Sequence, residues 1–566
     1  MRSSIVRSVT RVAAVAFVGA LAACGGDDST TQVTPLVVPA APTVTSTLTP
    51  SATVTWAAVT GAESYIVQRA TGAAGTFVQI GDAVSATTIT DNTVALSTTY
   101  RYRIAAKRGS EQTAFGAEGS VTVGTPGPKV AKLTGNITAN RTLTSDTLYT
   151  LSGYVKVQSG AQLTIQAGTT IVGDTTVLGS SLWILRGAKI SAVGTAAAPI
   201  VFTSARSAGN RRPGDWGGLI IIGNGIINRT GTPILTEGGT AGVAENYAGG
   251  TDNNDNSGSL KYVRIEFAGF DVSNGNGQEL NSLSSYAVGR GTTYEYVQTM
   301  SGLDDSFEWW GGAVDGRYLV SYESGDDHFD WTEGYVGRNQ FMIALQTQVL
   351  IPATGTGVFS SDPRGFEGDG CDPAVSGCTL TATGASTPYS MPVFANFTMV
   401  GTGAIAGFPA DGNGAVLRRG TGGTFRNGVM SRWRGIALNI RDAWTDSLRL
   451  RDSLSIRGLV LASDNGSLFD PDGTNFGQAS KFTNNNIRTP ATTTATSLFT
   501  SINTAGLDWR PLGGTTNVLA TGGETAPAAR VANYFLGTWV NTTYVGAVDP
   551  AATTPWYSGW TRYVIN

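Results

Sequence analysis

Histidine occurs once in these 566 residues, cysteine three times, and charged side chains make up only 14% of the chain. Each scarcity removes a class of function. With 38 Lys and Arg against 41 Asp and Glu, the chain lacks the basic footprint by which proteins hold nucleic acids, so no nucleic-acid partner is expected. Two of the cysteines, Cys371 and Cys378, share one short segment with no neighbouring histidine, which leaves a zinc ion underligated. Segments of helical period are scarce, and β-type runs follow one another too closely for βαβ units. Beyond the first two dozen residues no apolar run is long enough to cross a bilayer as a helix. What is abundant is Gly, Thr, Ser, Asn and Val, in a chain long enough for two or more domains.

The amino-terminal residues place Arg2, Arg7 and Arg11 ahead of a short apolar run from Val12 to Ala22, which stops at Leu21-Ala22-Ala23-Cys24. A run this short with a basic flank reads as an export signal, residues 1–23, rather than a membrane span. It resembles the bacterial lipoprotein signal. The resemblance implies acyl chains on Cys24 and a membrane partner reached through that lipid. Gly25 and Gly26 stand where an Asp would favour inner-membrane retention, which implies the outer membrane, on its cell-surface or periplasmic face. Residues 24–39 read as a flexible tether. In an exported chain, Cys371 and Cys378 read as a disulfide closing a short loop.

Residues 40–125 alternate apolar and polar side chains in short runs bounded by turn residues, as antiparallel strands covered on one face do. An early Trp56, then Tyr65-Ile66-Val67, then Tyr100-Arg101-Tyr102-Arg103-Ile104 resemble a fibronectin type III sandwich. The resemblance implies a spacer or docking module without chemistry of its own.

Past the linker, self-similarity decides the architecture. Tyr296, Asp304, Phe307 and Trp309 recur as Tyr318, Asp326, Phe329 and Trp331, every pair offset by 22 residues. A helix-free repeat of this length fits one coil of a parallel β-helix, whereas a propeller blade needs about 40 residues. Earlier, Leu163-Thr164-Ile165 and Gly168 to Ile171 read as recurring at Trp183-Ile184-Leu185 and Gly187 to Ile190. Each coil exposes backbone edges that only another coil can satisfy. The fold class expected is all-β, a single-strand, right-handed parallel β-helix over residues 129–566 preceded by the fibronectin type III-like sandwich. Asp215-Trp216-Gly217-Gly218, Leu303 to Gly312, Gly325 to Trp331 and Arg364-Gly365-Phe366-Glu367 together resemble surface-exposed parallel β-helix lipoproteins of Gram-negative bacteria. That resemblance covers most of the chain after the linker and implies the fold, without an agreed activity.

The doubled acidic pattern carries the chemistry. Stacked in register, Asp304 lies over Asp326, Asp305 over Asp327 and Glu308 over Asp330, each pair about 4.8 Å apart. At an effective dielectric near 20, such a pair repels by about 3 kcal/mol. Three pairs call for a cation, bound protons or intervening arginines. Oxygen donors without His or Cys suit Ca²⁺, the one cofactor expected. The alternative is that these residues face solvent or cap turns. In extended strand Asp304 and Glu308 stand about 13 Å apart, which predicts two separate sites rather than one.

Trp310, Tyr322 and Tyr335 are candidate sugar-stacking aromatics, with Trp310 the exposed one because it breaks the Phe307, Trp309 alternation. Arg317, Arg338 and Arg364 are candidate ligand contacts or lyase-type bases, and Glu367 joins them. His328 takes the place of Ser306 one coil earlier and reads as a surface substitution; the Gly-His-Gly element of polygalacturonases is absent. The function expected is a lipid-anchored surface binding or adhesion protein for a glycan, protein or particulate ligand, with an outer-membrane transporter as a possible recipient. Two alternatives stand beside it, a calcium-dependent polysaccharide lyase or glycoside hydrolase on a pectate-lyase-like β-helix, and a structural surface-layer component.

Overall fold

The computed structural model describes residues 34–46, 50–124, 129–238, 244–273, 275, 277–381, 384–409, 411–462, 464 and 466–564. Cys24 and most of the tether lie outside them. The chain divides into two compact units, Met1–Gly127 and Pro128–Asn566.

In the first unit an antiparallel sheet of Thr43–Ser46, Ala52–Thr55 and Thr88–Asp91 accompanies a five-stranded one built around Ser64–Thr71 and Thr99–Arg108. Alternation along Thr99–Arg108 buries Tyr102, Ile104 and Ala106 against Trp56, Tyr65 and Val67. This is the expected fibronectin type III-like sandwich. Asp91 links the two sheets, accepting from Arg69 at 2.8 Å and from Tyr102 at 3.0 Å.

The second unit is a parallel β-helix, in which the described residues form one sheet of eleven strands and another of sixteen. The 22-residue repeat is the coil. Phe307 pairs with Phe329, Glu308 with Asp330 and Trp309 with Trp331. Inside, Phe307, Phe329 and Phe366 form a stack with ring centroids 5.2 and 5.7 Å apart, all fully buried. Each such ring contributes about 1.5–3 kcal/mol by leaving water. The earlier repeat is set differently. Leu163 pairs with Ile190 and Ile171 with Phe202, because the turn around 174–180 lengthens that coil and moves Trp183 onto the other sheet, beside Lys156.

Close packing at the Phe366 coil depends on a glycine. A Cβ on Gly368 would lie 2.1 Å from the Trp331 ring. Gly368→Ala is therefore expected to cost about 1–3 kcal/mol through overpacking, read as a lower urea midpoint.

Five long strands of the larger sheet bend at one residue each. Tyr262, Tyr296, Tyr318, Phe341 and Asn396 have φ between 50° and 63° and step out of the ladder pairing. Left-handed backbone is costly for aromatic residues. Stacking offsets the cost, the first four rings following one another at 4.3, 4.5 and 5.2 Å.

Coils do not continue to Asn566 as the sequence suggested. The last coil strand is Ser467–Phe469, and the remainder is short helices, turns and a hairpin folded back over the bend. Trp560 sets its edge against Tyr262 and Tyr296, Arg264 donates to the Trp560 carbonyl at 3.1 Å, and Arg562 N–H to Gln298 at 2.8 Å. The aromatic row at the bend is an apolar surface that this segment covers.

Candidate functional site

The acidic repeats meet in a cavity of about 630 Å³. Its floor is the in-register set of Phe307–Trp310, Phe329–Thr332 and Phe366–Asp369, whose alternation sends Phe inward and the following acid outward. Glu308, Asp330 and Glu367 thus form one column. The turn before each of the first two strands supplies Asp304 with Asp305, and Asp326 with Asp327. Walls come from the loop carrying Glu237, the short strand Glu279–Leu280 and the Cys371–Cys378 loop. The disulfide is present, with Cα atoms 5.4 Å apart, and the loop is tied down where Arg229 donates to the Ser376 carbonyl at 3.0 Å.

Among the described residues, twelve carboxylates line this cavity against three guanidiniums, those of Arg229, Arg418 and Arg419. The two signs are segregated. Arg229 pairs with Glu333 at 3.1 Å, Arg418 with Asp369 at 2.9 Å and also with Glu367, and Arg419 with Asp372 at 2.9 Å. Arg364, only 4% exposed behind the floor, holds Asp327 at 3.1 Å and also Asp362 and Glu367. Seven carboxylates, those of Glu237, Glu279, Asp304, Asp305, Glu308, Asp326 and Asp330, have no ion pair among the described residues.

Local bonds fix the cluster from below. Asn281 donates to Glu308 at 2.6 Å and accepts from Asp305 N–H at 3.0 Å, while Asp327 N–H donates to the Asp305 carboxylate at 2.8 Å. Burial, and then the neighbouring carboxylates, hold Asp304, Asp305 and Glu308 well above the ordinary carboxylate range. Burial pushes Asp326 and Asp327 up to about 7, against the opposing pull of Arg364.

Asp304 and Asp305 lie in a turn before the strand starts at Phe307, so Asp305, Glu308 and Asp330 each bring an oxygen within 4.8 Å of the others. Asp304 and Glu308 fall in different triads, which Asp305 bridges. Asp304, Asp305, Asp326 and Asp327, Asp330, Glu367 form two further triads of the same reach. These six acids and Glu367 are joined in one continuous site.

Other candidates lie elsewhere. Tyr335 is fully buried inside the coils, donating to the Val314 carbonyl at 2.8 Å, and Tyr322 is 2% exposed beneath Tyr563 of the covering segment. Arg317 donates to the Thr538 carbonyl at 2.8 Å and Arg338 is buried on Asp315 at 2.6 Å, both under that segment and away from the cavity. Trp310 does line the cavity, but it is 6% exposed and stacked on Tyr286 at 4.0 Å rather than open to solvent. His328 is no surface substitution. It sits 1% exposed with Nδ1 2.6 Å from Ser321 Oγ, and burial lowers its pKa to about 3.

Sequence reasoning missed Glu237, Glu279, Glu333, Asp369, Asp372 and the three lining arginines. One signal was available, since Phe-Glu, Phe-Asp and Phe-Glu recur at 307, 329 and 366. The insertion between the last two hides the third coil. Glu237 comes from a loop and Glu279 from a two-residue strand of a side hairpin, neither of which the coil period places.

Fold and cavity together define a parallel β-helix protein with an acid-lined pocket on one sheet. The model of the pectate-lyase-like β-helix domain family matches residues 135–509, and the chain belongs to that family. No curated protein matches the chain. Among solved structures, an Fn3-like protein from Clostridium thermocellum is similar at 29% identity over 16% of this chain and 96% of that one, with a TM-score of 0.15. A fibronectin type III domain of human fibronectin type III domain containing protein 3 is similar at 15% identity over 17% and 94%, with a TM-score of 0.15.

Proposed function

We propose that this chain is a divalent-cation-dependent binding protein for an acidic glycan, held at the outer membrane by acyl chains on Cys24. The observation that carries the reading is the group of seven lining carboxylates with no ion pair among the described residues. Buried like charges at this density are stabilised by a cation, and oxygen-only donors favour calcium. The cations' remaining coordination positions, together with the Arg229, Arg418 and Arg419 wall, suit a ligand that carries carboxylates and hydroxyls. A volume of about 630 Å³ is in the range of small-molecule and oligosaccharide sites. Binding is favoured over lyase chemistry because each of these arginines, and Arg364 behind them, already holds a carboxylate. A released ligand would pass to an outer-membrane transporter.

The enzymatic reading keeps one specific support, since carboxyl groups with raised pKa are what general-acid cleavage of a glycosidic bond uses. Polygalacturonate oligomers separate the two. The expected result is binding in 1 mM calcium, at least tenfold weaker in EGTA and in Asp330→Asn, with the oligomers recovered at full length. Calcium-independent binding, or none, removes the proposal; shortened oligomers replace it with the enzymatic one.

A further inference from the structure

We infer that the acidic cavity is a polynuclear site, in which two divalent cations share Asp305 and a third, weaker one sits between Asp330 and Glu367. The inference rests on the cation reading above and adds the number, order and shared ligands of the ions.

Geometry sets the number. Two oxygens on one calcium ion are at most about 5 Å apart, twice the usual metal–oxygen distance. Three carboxylate triads meet that limit, with ligand atoms within 4.8 Å of one another. They are Asp304, Asp305 and Asp326, then Asp305, Glu308 and Asp330, then Asp327, Asp330 and Glu367. Asp305 belongs to the first two and Asp330 to the last two. A single ion does not serve them all, because Glu308 and Glu367 are two coils apart in register, about 9.6 Å along the stack.

Unsatisfied oxygens point the same way. Asp327 is 1% exposed, Arg364 takes only its Oδ2, and its Oδ1 has no hydrogen-bond donor although the residue lines the cavity. Asp326 Oδ1 and Asp330 Oδ1 are also buried without a donor. Every triad therefore contains at least one carboxylate oxygen that the protein leaves unfilled, which a buried polar atom tolerates poorly.

Charge sets the order. One divalent ion neutralises two of the seven unpaired carboxylates and two ions neutralise four. The first two triads contain no residue in an ion pair, so both compete well for cations. In the third, Arg364 already holds Asp327 and Glu367, and Arg418 also reaches Glu367, so a cation there displaces or crowds guanidinium charge.

The test is calcium stoichiometry on the full chain after chelator treatment, by calorimetric titration and by elemental analysis at fixed free calcium. Terbium emission excited through tryptophan gives a second readout, because Trp310 lines the same cavity. The wild-type chain is expected to take two calcium ions tightly and a third at least tenfold more weakly. Asp304→Asn is expected to lose one tight ion, Asp305→Asn both, and Glu367→Gln only the weak one. An Asn at 305 retains an oxygen for Asp327 N–H, and the wild-type count decides the number whatever the variants' folding. One calcium per chain overturns the polynuclear site while leaving cation binding in place; none overturns both. Equal losses in Asp304→Asn and Asp305→Asn overturn the sharing of Asp305.

Discussion

Stripped of divalent cations, the chain is expected to lose thermal stability as pH rises from 5 to 8, and millimolar calcium is expected to reverse the trend. Asp326 and Asp327 have pKa values of about 7 in the folded chain, against an ordinary 3.8. Between those values the folded chain keeps protons that the unfolded chain has released, so raising the pH favours unfolding. Below about 4 both forms are protonated and the penalty is absent; above about 7 the share of these two is complete, and Glu323, also raised to about 7, adds to the same slope. Each retained proton tilts stability by about 1.4 kcal/mol per pH unit. Asp91 and Asp174, whose pKa values are lowered by their bonds, titrate below this window and leave its slope alone. A cation favours the ionised carboxylates and removes the penalty, and calcium at a hundred times Kd adds about 2.7 kcal/mol for each site. Melting curves at pH 5, 6, 7 and 8, in EGTA and in calcium, check the sign. A metal-free melting temperature that climbs with pH would contradict it.

Trp331→Ala is expected to have the largest effect of any single substitution in the coils, about 3–5 kcal/mol. The indole is fully buried, packs on Phe394 at 4.8 Å, Phe366 at 5.9 Å and Phe425 at 6.0 Å, and donates to Thr421 at 3.0 Å. Its removal opens a void across three coils and leaves the buried Thr421 hydroxyl without that donor. Asp330, its neighbour on the strand, then loses its fixed direction toward the cavity. Calcium affinity should fall together with the urea midpoint. If stability drops while affinity is unchanged, the inner ring stack does not position the acids.

The part of the fold legible in the sequence was the part with a strict period. Between residues 296 and 331 the coil is 22 residues without insertion, so register, inner Phe stack and outer acid column could all be read. Where corner loops differ in length, as between Ile171 and Phe202, apolar pattern alone mispaired the strands. Arg317 and Arg338 were legible as charged strand residues, but the segment that covers them folds back from about 200 positions later. Asp305 was not read as the residue that bridges Asp304 and Glu308, because a two-residue periodicity assumes extended backbone and does not place residues of the preceding turn. Separations of hundreds of residues and local departures from extended chain leave no periodic trace.

The sealed imidazole has a practical consequence. His328 is the chain's only histidine and is kept neutral, so it contributes no proton exchange near neutrality. Apart from the α-amino group, proton uptake or release measured between pH 5.5 and 7.5 reports on buried carboxyl groups, Glu323 with the acids of the cavity. A pH-stat trace during calcium addition can therefore count discharged protons without the histidine background that obscures such measurements in most proteins.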